Sequence, residues 1–181
     1  MASYSVNTPG VQYAVPGFTG SDAEDGVGIR AATPDDEALF RDLYASLRWP
    51  ELTPTAWPDA EKRAFCDMQY GLQDRHYRAH FPGAEPMAIV VLGATVGRLY
   101  RALSADTLNV LDIALVAEMR GRGIGTRLMS AMQADAARAG QRIVLHVEEY
   151  NPIQRWYERL GFTHGALLGA HREMIWSPRT S

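Results

Sequence analysis

Cysteine and lysine are almost missing from this 181-residue chain: Cys66 is the sole cysteine and Lys62 the sole lysine. One cysteine excludes a disulfide framework or a cysteine-based zinc site within the chain. Positive charge rests almost wholly on arginine, which fits an Ala- and Arg-rich genome. A cationic surplus is missing too, and the net charge of −3 argues against a nucleic-acid partner. No apolar run approaches the roughly 20 residues of a membrane span. The first residues carry neither a basic n-region nor an apolar h-region. The expectation is a cytoplasmic protein with no membrane and no nucleic-acid partner. His76, His80, His146, His164 and His171 form no H-E-x-x-H or related pattern, so no metal is expected. No G-x-S-x-G elbow marks a serine hydrolase.

What is present is a globular composition, 46% hydrophobic, in a chain long enough to bury one real core. Residues 1–26 lack periodicity and read as a tail, poorly structured or packed on the surface. Residues 27–177 read as a single domain and 178–181 as a second tail. A short strand at 27–32 is followed by Thr33-Pro34-Asp35-Asp36, a helix start with Thr as N-cap and Pro at N1. That helix runs to about residue 48. Pro50, Pro54 and Pro58 then predict a loop over 48–58 holding Trp49, Glu51 and Trp57. A second helix follows, with Phe65, Met68, Leu72 and His76 at helical spacing. Beyond it come a hairpin, a strand at 107–116, a helix ended by Gly140, a strand at 141–148, a short helix opened by Asn151-Pro152, and a final hairpin within 162–176. The order β-α-α-β-β-β-α-β-α-β-β is that of a mixed α/β domain.

The most specific stretch is Arg120-Gly121-Arg122-Gly123-Ile124-Gly125-Thr126, between a strand and a helix. Glycines let backbone N–H groups approach a ligand closely. A helix start offers N–H groups without acceptors and the positive end of the dipole. Together they predict a phosphate site. The run is not a P-loop, since no Gly-Lys-Ser/Thr follows. Nor is it G-x-G-x-x-G in an N-terminal βαβ unit.

Arg120-x-x-Gly123-x-Gly125, a strand ending at Val147, then Asn151 and Tyr157-Glu158-Arg159-Leu160-Gly161-Phe162 resemble the GCN5-related N-acetyltransferase (GNAT) superfamily over roughly residues 108–163. The resemblance implies a mostly antiparallel central sheet flanked by helices. It also implies acetyl-CoA or coenzyme A as the cofactor. Backbone amides of Arg120, Gly121, Arg122, Gly123, Ile124, Gly125 and Thr126 would cradle the pyrophosphate. The pantetheine arm would lie along Ile113, Ala114 and Leu115, whose backbone would bond it, with the Leu115 N–H as oxyanion donor. Asn151 stands where the family holds the cofactor arm, and Asn before Pro is equally a good N-cap. Tyr157 stands where the family places its general acid. Its helical spacing also suits a core aromatic beside Trp156 and Leu160. Ala117 departs from the proline common at that position.

Acyl transfer to an amine needs that amine neutral, and an alkyl ammonium has a pKa near about 10.4. Glu148, Asp112 and Glu51 are the candidate bases, and ordered water serves as well in this family. Trp49, Glu51 and Trp57 suggest an aromatic and acidic wall for a cationic amine, or simple loop packing. The partner implied is a small-molecule or peptide amine, with a homodimer as a further expectation. The leading reading is an acetyl-CoA-dependent N-acetyltransferase working by direct attack in a ternary complex. The alternatives are a non-catalytic acyl-CoA sensor on the same fold and a protein holding another nucleotide diphosphate.

Overall fold

The computed structural model describes residues 26–178. The expected tails, apart from Gly26 and Pro178, lie outside the described residues. Strand β1 (Val27–Ala31) leads through a 3-10 turn (Pro34–Asp36) into α1 (Glu37–Leu52) and α2 (Asp59–His80). Strands β2 (Glu85–Val91), β3 (Ala94–Leu103) and β4 (Thr107–Leu115) follow. After a 3-10 turn at Ala117–Met119 come α3 (Ile124–Ala139), β5 (Arg142–Glu148), α4 (Gln154–Arg159), β6 (Thr163–Leu168) and β7 (His171–Trp176). The element order matches the one expected from the sequence. The seven strands form one sheet in the order β1-β2-β3-β4-β5-β7-β6, and every pair is antiparallel except β4–β5.

Helices cover both faces. Val27 and Ile29 of β1, Leu108 and Val110 of β4, and Ile143, Leu145 and Val147 of β5 pack against Ile124, Leu128, Met129, Met132 and Ala136 of α3. On the other face Leu39, Phe40, Leu43 and Tyr44 of α1 and Cys66 and Tyr70 of α2 pack on Ala88 and Val90 of β2. Alternation along each strand sends neighbours to opposite faces.

Two helical expectations need correction. Helix α1 continues past residue 48 through Pro50 to Leu52. A proline in the last turn forfeits a single backbone bond. The Arg48–Glu51 pair (2.6 Å) and the Thr53 hydroxyl, donating to the Trp49 carbonyl at 2.9 Å, hold that turn. Trp49 and Glu51 are therefore helical, not in a loop. In α2 the buried residues are Cys66, Tyr70 and Tyr77. Met68 and Leu72, expected to face inward, are exposed. The tyrosines win the inner face because each can bury a ring and still bond its hydroxyl. Tyr70 donates to Glu37 at 3.0 Å and Tyr77 to the Leu111 carbonyl at 3.0 Å.

The Thr33 start forms as expected, with the Thr33 N–H donating to Asp36 Oδ2 at 2.8 Å. Asp36 does more than cap. It is fully buried and accepts two bonds from Arg30, each 2.6 Å. Thr95 accepts from Arg30 at 2.8 Å. Burial pushes the Asp36 carboxyl up, but the Arg30 bonds and charge and the Thr33 N–H outweigh it and hold it below its ordinary value.

The feature that positions the site is the β4–β5 pairing. It has four rungs, from Thr107–Arg142 to Val110–Leu145. A register shift between Tyr100 and Arg101 leaves Leu111 as an extra residue in β4. Beyond that bulge the two parallel strands separate, and β4 runs on from Asp112 to Leu115 with β3 as its only ladder.

Candidate active site

The separating strands open a cavity of about 760 Å³ on the α3 side of the sheet. Its lining joins Ile113, Ala114 and Leu115 to the 120s turn, the start of α3, and Asn151, Ile153, Trp156 and Tyr157 around α4. This volume lies in the range of small-molecule and cofactor sites, about 300–1,000 Å³.

One wall is the free edge of β4. The Val116 N–H donates to the Val96 carbonyl of β3 at 2.9 Å. Backbone groups alternate sides along a strand, so the Ala114 N–H also turns toward β3. The N–H groups of Ile113 and Leu115 turn the other way, into the opening. The Leu115 carbonyl points there too, where it accepts from Arg120 Nε at 3.0 Å. The expectation for β4 therefore splits. Ile113 and Leu115 present backbone groups to the cavity, whereas Ala114 only lines it, because its own backbone belongs to the β3 ladder. Gly97 of β3 makes this close approach possible. A Cβ there would overlap the Ala114 carbonyl oxygen and stand 3.0 Å from Leu115 Cδ2.

The opposite end is the glycine turn. Gly121 (φ 70°) and Gly123 (φ 79°) are left-handed, a conformation that side chains with a Cβ rarely adopt. Gly123 caps α3, and the Arg127 N–H donates to its carbonyl at 3.0 Å. The N–H groups of Ile124, Gly125 and Thr126 precede that first helical bond and have no acceptor within the helix. They face the cavity with the positive end of a 16-residue helix behind them. Arg120, Gly121, Gly123, Ile124, Gly125 and Thr126 all line the cavity. Arg122 is exposed and lies outside the lining, since the turn throws its side chain to solvent.

Helix α4 closes the third side. Trp156 Nε1 donates to the Thr126 hydroxyl at 3.2 Å, tying α4 to the start of α3. Gly125 has room for that indole, whose nearest atom would lie 3.5 Å from a Cβ. Asn151 Oδ1 accepts from the Ile153 N–H at 3.0 Å, so it caps the turn into α4 while lining the cavity. Tyr157 is 5% exposed and packs edge-on against Trp156 (4.7 Å) and Phe162 (5.4 Å). It is at once a core aromatic and a cavity wall. Sequence reasoning missed Met119, Pro152, Ile153, Trp156 and Arg159 in the lining. Arg159 sits inside the quoted Tyr157–Phe162 motif, so its position was visible there although its role was not.

The candidate bases separate clearly. Asp112 is buried on the opposite face and accepts from Arg98 Nε and Nη2 at 2.9 and 2.6 Å. Arg98 also donates to Gln73 at 3.0 Å and sits over the Phe40 and Tyr70 rings. That carboxylate is committed to a buried ion pair. Glu51 is bonded by Arg48 at the end of α1. Glu148 is exposed at the end of β5, three residues past the last β4–β5 rung. Trp49 carries the Lys62 ammonium 5.9 Å above its ring, and Trp57 packs edge-on against Phe65 at 5.5 Å. Neither tryptophan nor Glu51 reaches the cavity lining.

Comparison with known proteins agrees with this geometry. No curated protein sequence matches the chain. Residues 85–164 match the family described as acetyltransferase (GNAT) domain. Among solved structures, the PaiA N-acetyltransferase of Thermoplasma acidophilum in complex with coenzyme A is similar at TM-score 0.61 and 14% identity, over 83% of this chain and 98% of that one. An acetyltransferase of Thermus thermophilus gives 0.60 at 17% identity, over 83% and 96%. Arabidopsis thaliana Naa50 in complex with a bisubstrate analogue gives 0.57 at 16% identity, over 84% and 99%. Residues 85–164 are thus similar to the GNAT acetyltransferase domain, and the chain has the mixed, mostly antiparallel α/β fold of the GNAT acetyltransferase structures.

Proposed function

We propose that this chain transfers an acetyl group from acetyl-CoA to a primary amine by direct attack in a ternary complex. The observation that carries the reading is the cavity itself. One opening joins two backbone N–H groups on a free strand edge, a helix start aimed inward, and a buried tyrosine. The coenzyme A complex of the Thermoplasma PaiA relative supports the choice of ligand. The residues present fit the group. The start of α3 suits a diphosphate, the Ile113 and Leu115 edge suits an amide-bearing arm laid beside it as a strand, and Trp156 offers an aromatic face.

Acetyl-CoA supplies an activated thioester when bound. The protein does the rest. The N–H groups of 124–126 hold negative charge at the helix start. Ile113 and Leu115 orient the arm, and the Leu115 N–H is the candidate donor to charge developing on the carbonyl oxygen. Tyr157 is the candidate general acid, its hydroxyl giving a proton to the departing sulfur. Of the three carboxylates, Glu148 alone is both uncommitted to a buried pair and close to the opening. No covalent enzyme intermediate is required. Cys66 is buried in α2 under α1, and burial raises its thiol pKa, which makes it a poor nucleophile. Thiol release from acetyl-CoA across a panel of amines tests the reading. Turnover with at least one amine is expected. Tight coenzyme A binding without turnover on any amine would instead identify a sensor.

A further inference from the structure

The closing turns of α2 hold a histidine pair that takes no part in the core. His76 and His80 stand four residues apart, and both are exposed. Residues i and i+4 of a helix lie one above the other on a single face. The two imidazoles accordingly sit side by side, with centroids 4.2 Å apart and planes 31° from parallel. Tyr77 marks the inner side of the same turn, where it packs with Tyr100, Ala102 and Leu111. No residue of α2 lines the cofactor cavity. The pair therefore serves neither packing nor the acetyl-CoA site proposed above.

One ring is already set for a ligand. His80 Nδ1 lies 2.9 Å from the His76 carbonyl oxygen. A carbonyl can only accept, so in the neutral ring Nδ1 carries the proton and Nε2 keeps its lone pair. Such a backbone bond commonly fixes the tautomer of a metal-ligating histidine. No metal is expected from the sequence for want of H-E-x-x-H, yet His76 and His80 keep that pattern's spacing without its Glu. In the pattern, that spacing puts both imidazoles on one metal. Tyr77 stands in place of the Glu and donates its hydroxyl to the Leu111 carbonyl at 3.0 Å. The base of a metal hydrolase is thus missing, and what is left is a binding site. The local field suits a cation. The pair ends a 22-residue helix, and the negative end of the dipole favours positive charge there. Neighbouring arginines are drawn off. Arg78 donates to Asp74 at 2.9 Å. Arg75 lies back over Gly71, one turn nearer the helix start, with Nη1 3.4 Å from where a Cβ would stand.

We propose that His76 and His80 chelate one divalent transition metal through their Nε2 atoms, with copper(II) held most tightly. Imidazole suits copper, nickel and zinc, and affinity at a nitrogen site rises to copper and falls again at zinc. Magnesium and calcium prefer oxygen ligands. Metal–imidazole bonds are about 2.0–2.1 Å for zinc, a span that two rings already in contact reach by side-chain rotation. Among the described residues no group of three or more His, Cys, Asp or Glu could hold a metal, so water completes the coordination. Closed structural zinc sites use four protein ligands. Two make an open site whose metal exchanges with solution. Chelation across one turn staples the end of α2, the turn that seats Tyr77 on Leu111, the extra residue of the β4 bulge. The bound metal thereby steadies α2 against the sheet.

The test uses the full chain, free of any histidine tag, titrated by calorimetry with copper(II), nickel(II), zinc(II) and magnesium. One copper per chain is expected at this site, held more tightly than nickel or zinc, with no magnesium bound. H76Q and H80Q should each weaken copper at least tenfold. R78H/H80Q keeps the count of five histidines but sets the two at i and i+2, which do not face each other. It should bind as weakly as H80Q. The copper EPR spectrum should show two imidazole nitrogens in the parent and one in each single variant. With copper a hundredfold above Kd, Tm should rise by about 5–10 °C in the parent, and by half of that or less in H76Q or H80Q at the same copper concentration. Coenzyme A affinity measured without metal should match the parent in every variant, which keeps the outcome independent of acetyl transfer. Copper affinity unchanged in H76Q and H80Q would place the metal at other histidines and overturn the assignment. Parent-like affinity in R78H/H80Q, or a single nitrogen in the parent spectrum, would overturn it as well.

Discussion

Replacing Gly97 by alanine tests the link between strand packing and the cofactor edge. The added Cβ would collide with the Ala114 carbonyl oxygen, with Leu115 Cδ2 only 3.0 Å away. An ordinary carbon–oxygen contact is about 3.3 Å, so β3 and β4 must part by on the order of 1 Å. Overpacking of this kind costs about 1–3 kcal/mol. For a domain of this size that lowers Tm by about 2–12 °C. The strand that moves is the one whose Ile113 and Leu115 N–H groups face the opening, and it moves toward the opening. A misplacement of about 1 Å can cost about 100-fold where geometry is exacting. Coenzyme A affinity by calorimetry should therefore fall at least tenfold at a temperature where the variant is fully folded. A Tm loss of this size with unchanged coenzyme A affinity would refute the reasoning, because β4 would then not be the edge on which the arm lies.

Other substitutions probe separate parts. Tyr157→Phe keeps the Trp156 and Phe162 packing but removes the hydroxyl. Turnover should drop about 100-fold or more with coenzyme A affinity unchanged, read by steady-state kinetics and calorimetry. Gly123→Val places a β-branched residue at φ 79° in the anion turn; coenzyme A affinity by calorimetry should fall at least tenfold. Leu92 is non-glycine at φ 49° and 82% exposed in the β2–β3 turn, so Leu92→Asn should raise Tm by about 2–4 °C, relieving about 1 kcal/mol of strain. The Asp36 carboxyl lies below its ordinary value, so its contribution is present above the usual carboxylate range and is lost as pH falls through its folded value. Arg30→Met leaves that carboxylate buried without its partner, costs about 3–5 kcal/mol, and reverses the local trend, with stability now rising as pH drops; chemical denaturation between pH 3 and pH 7 reads both signs.

The element order was legible because hydrophobic period, caps and glycines agreed at each step. It broke down where two signals competed. The prolines at 50, 54 and 58 read as one loop, yet Pro50 fell late enough in α1 to be tolerated, and Arg48 with Glu51 closed the turn around it. In α2 hydrophobicity favoured Met68 and Leu72, whereas tyrosines with hydroxyl partners took the buried side. Most of the cavity lining was legible because it is built from backbone, and glycine positions announce backbone needs. The placement of the carboxylates was not. Asp112 looked as available as Glu148 until the β4 bulge turned it toward Arg98. Gly97 drew no notice because its importance comes from what lies across the β3–β4 ladder, a long-range fact that no local spacing records.

Only four rungs join the sheet's two halves, so the molecule resembles two sheets held by a short seam, with a missing length of strand beside it. A ligand laid along Ile113 and Leu115 supplies that length from outside the chain. It then acts as a removable piece of secondary structure, adding RT ln(1 + [L]/Kd) to stability, about 2.7 kcal/mol at 100-fold excess over Kd. If coenzyme A or acetyl-CoA is that ligand, as proposed, folding and cofactor binding are coupled through one seam, and the unliganded chain would open there more often and meet proteases sooner, since cleavage follows the population of the open form.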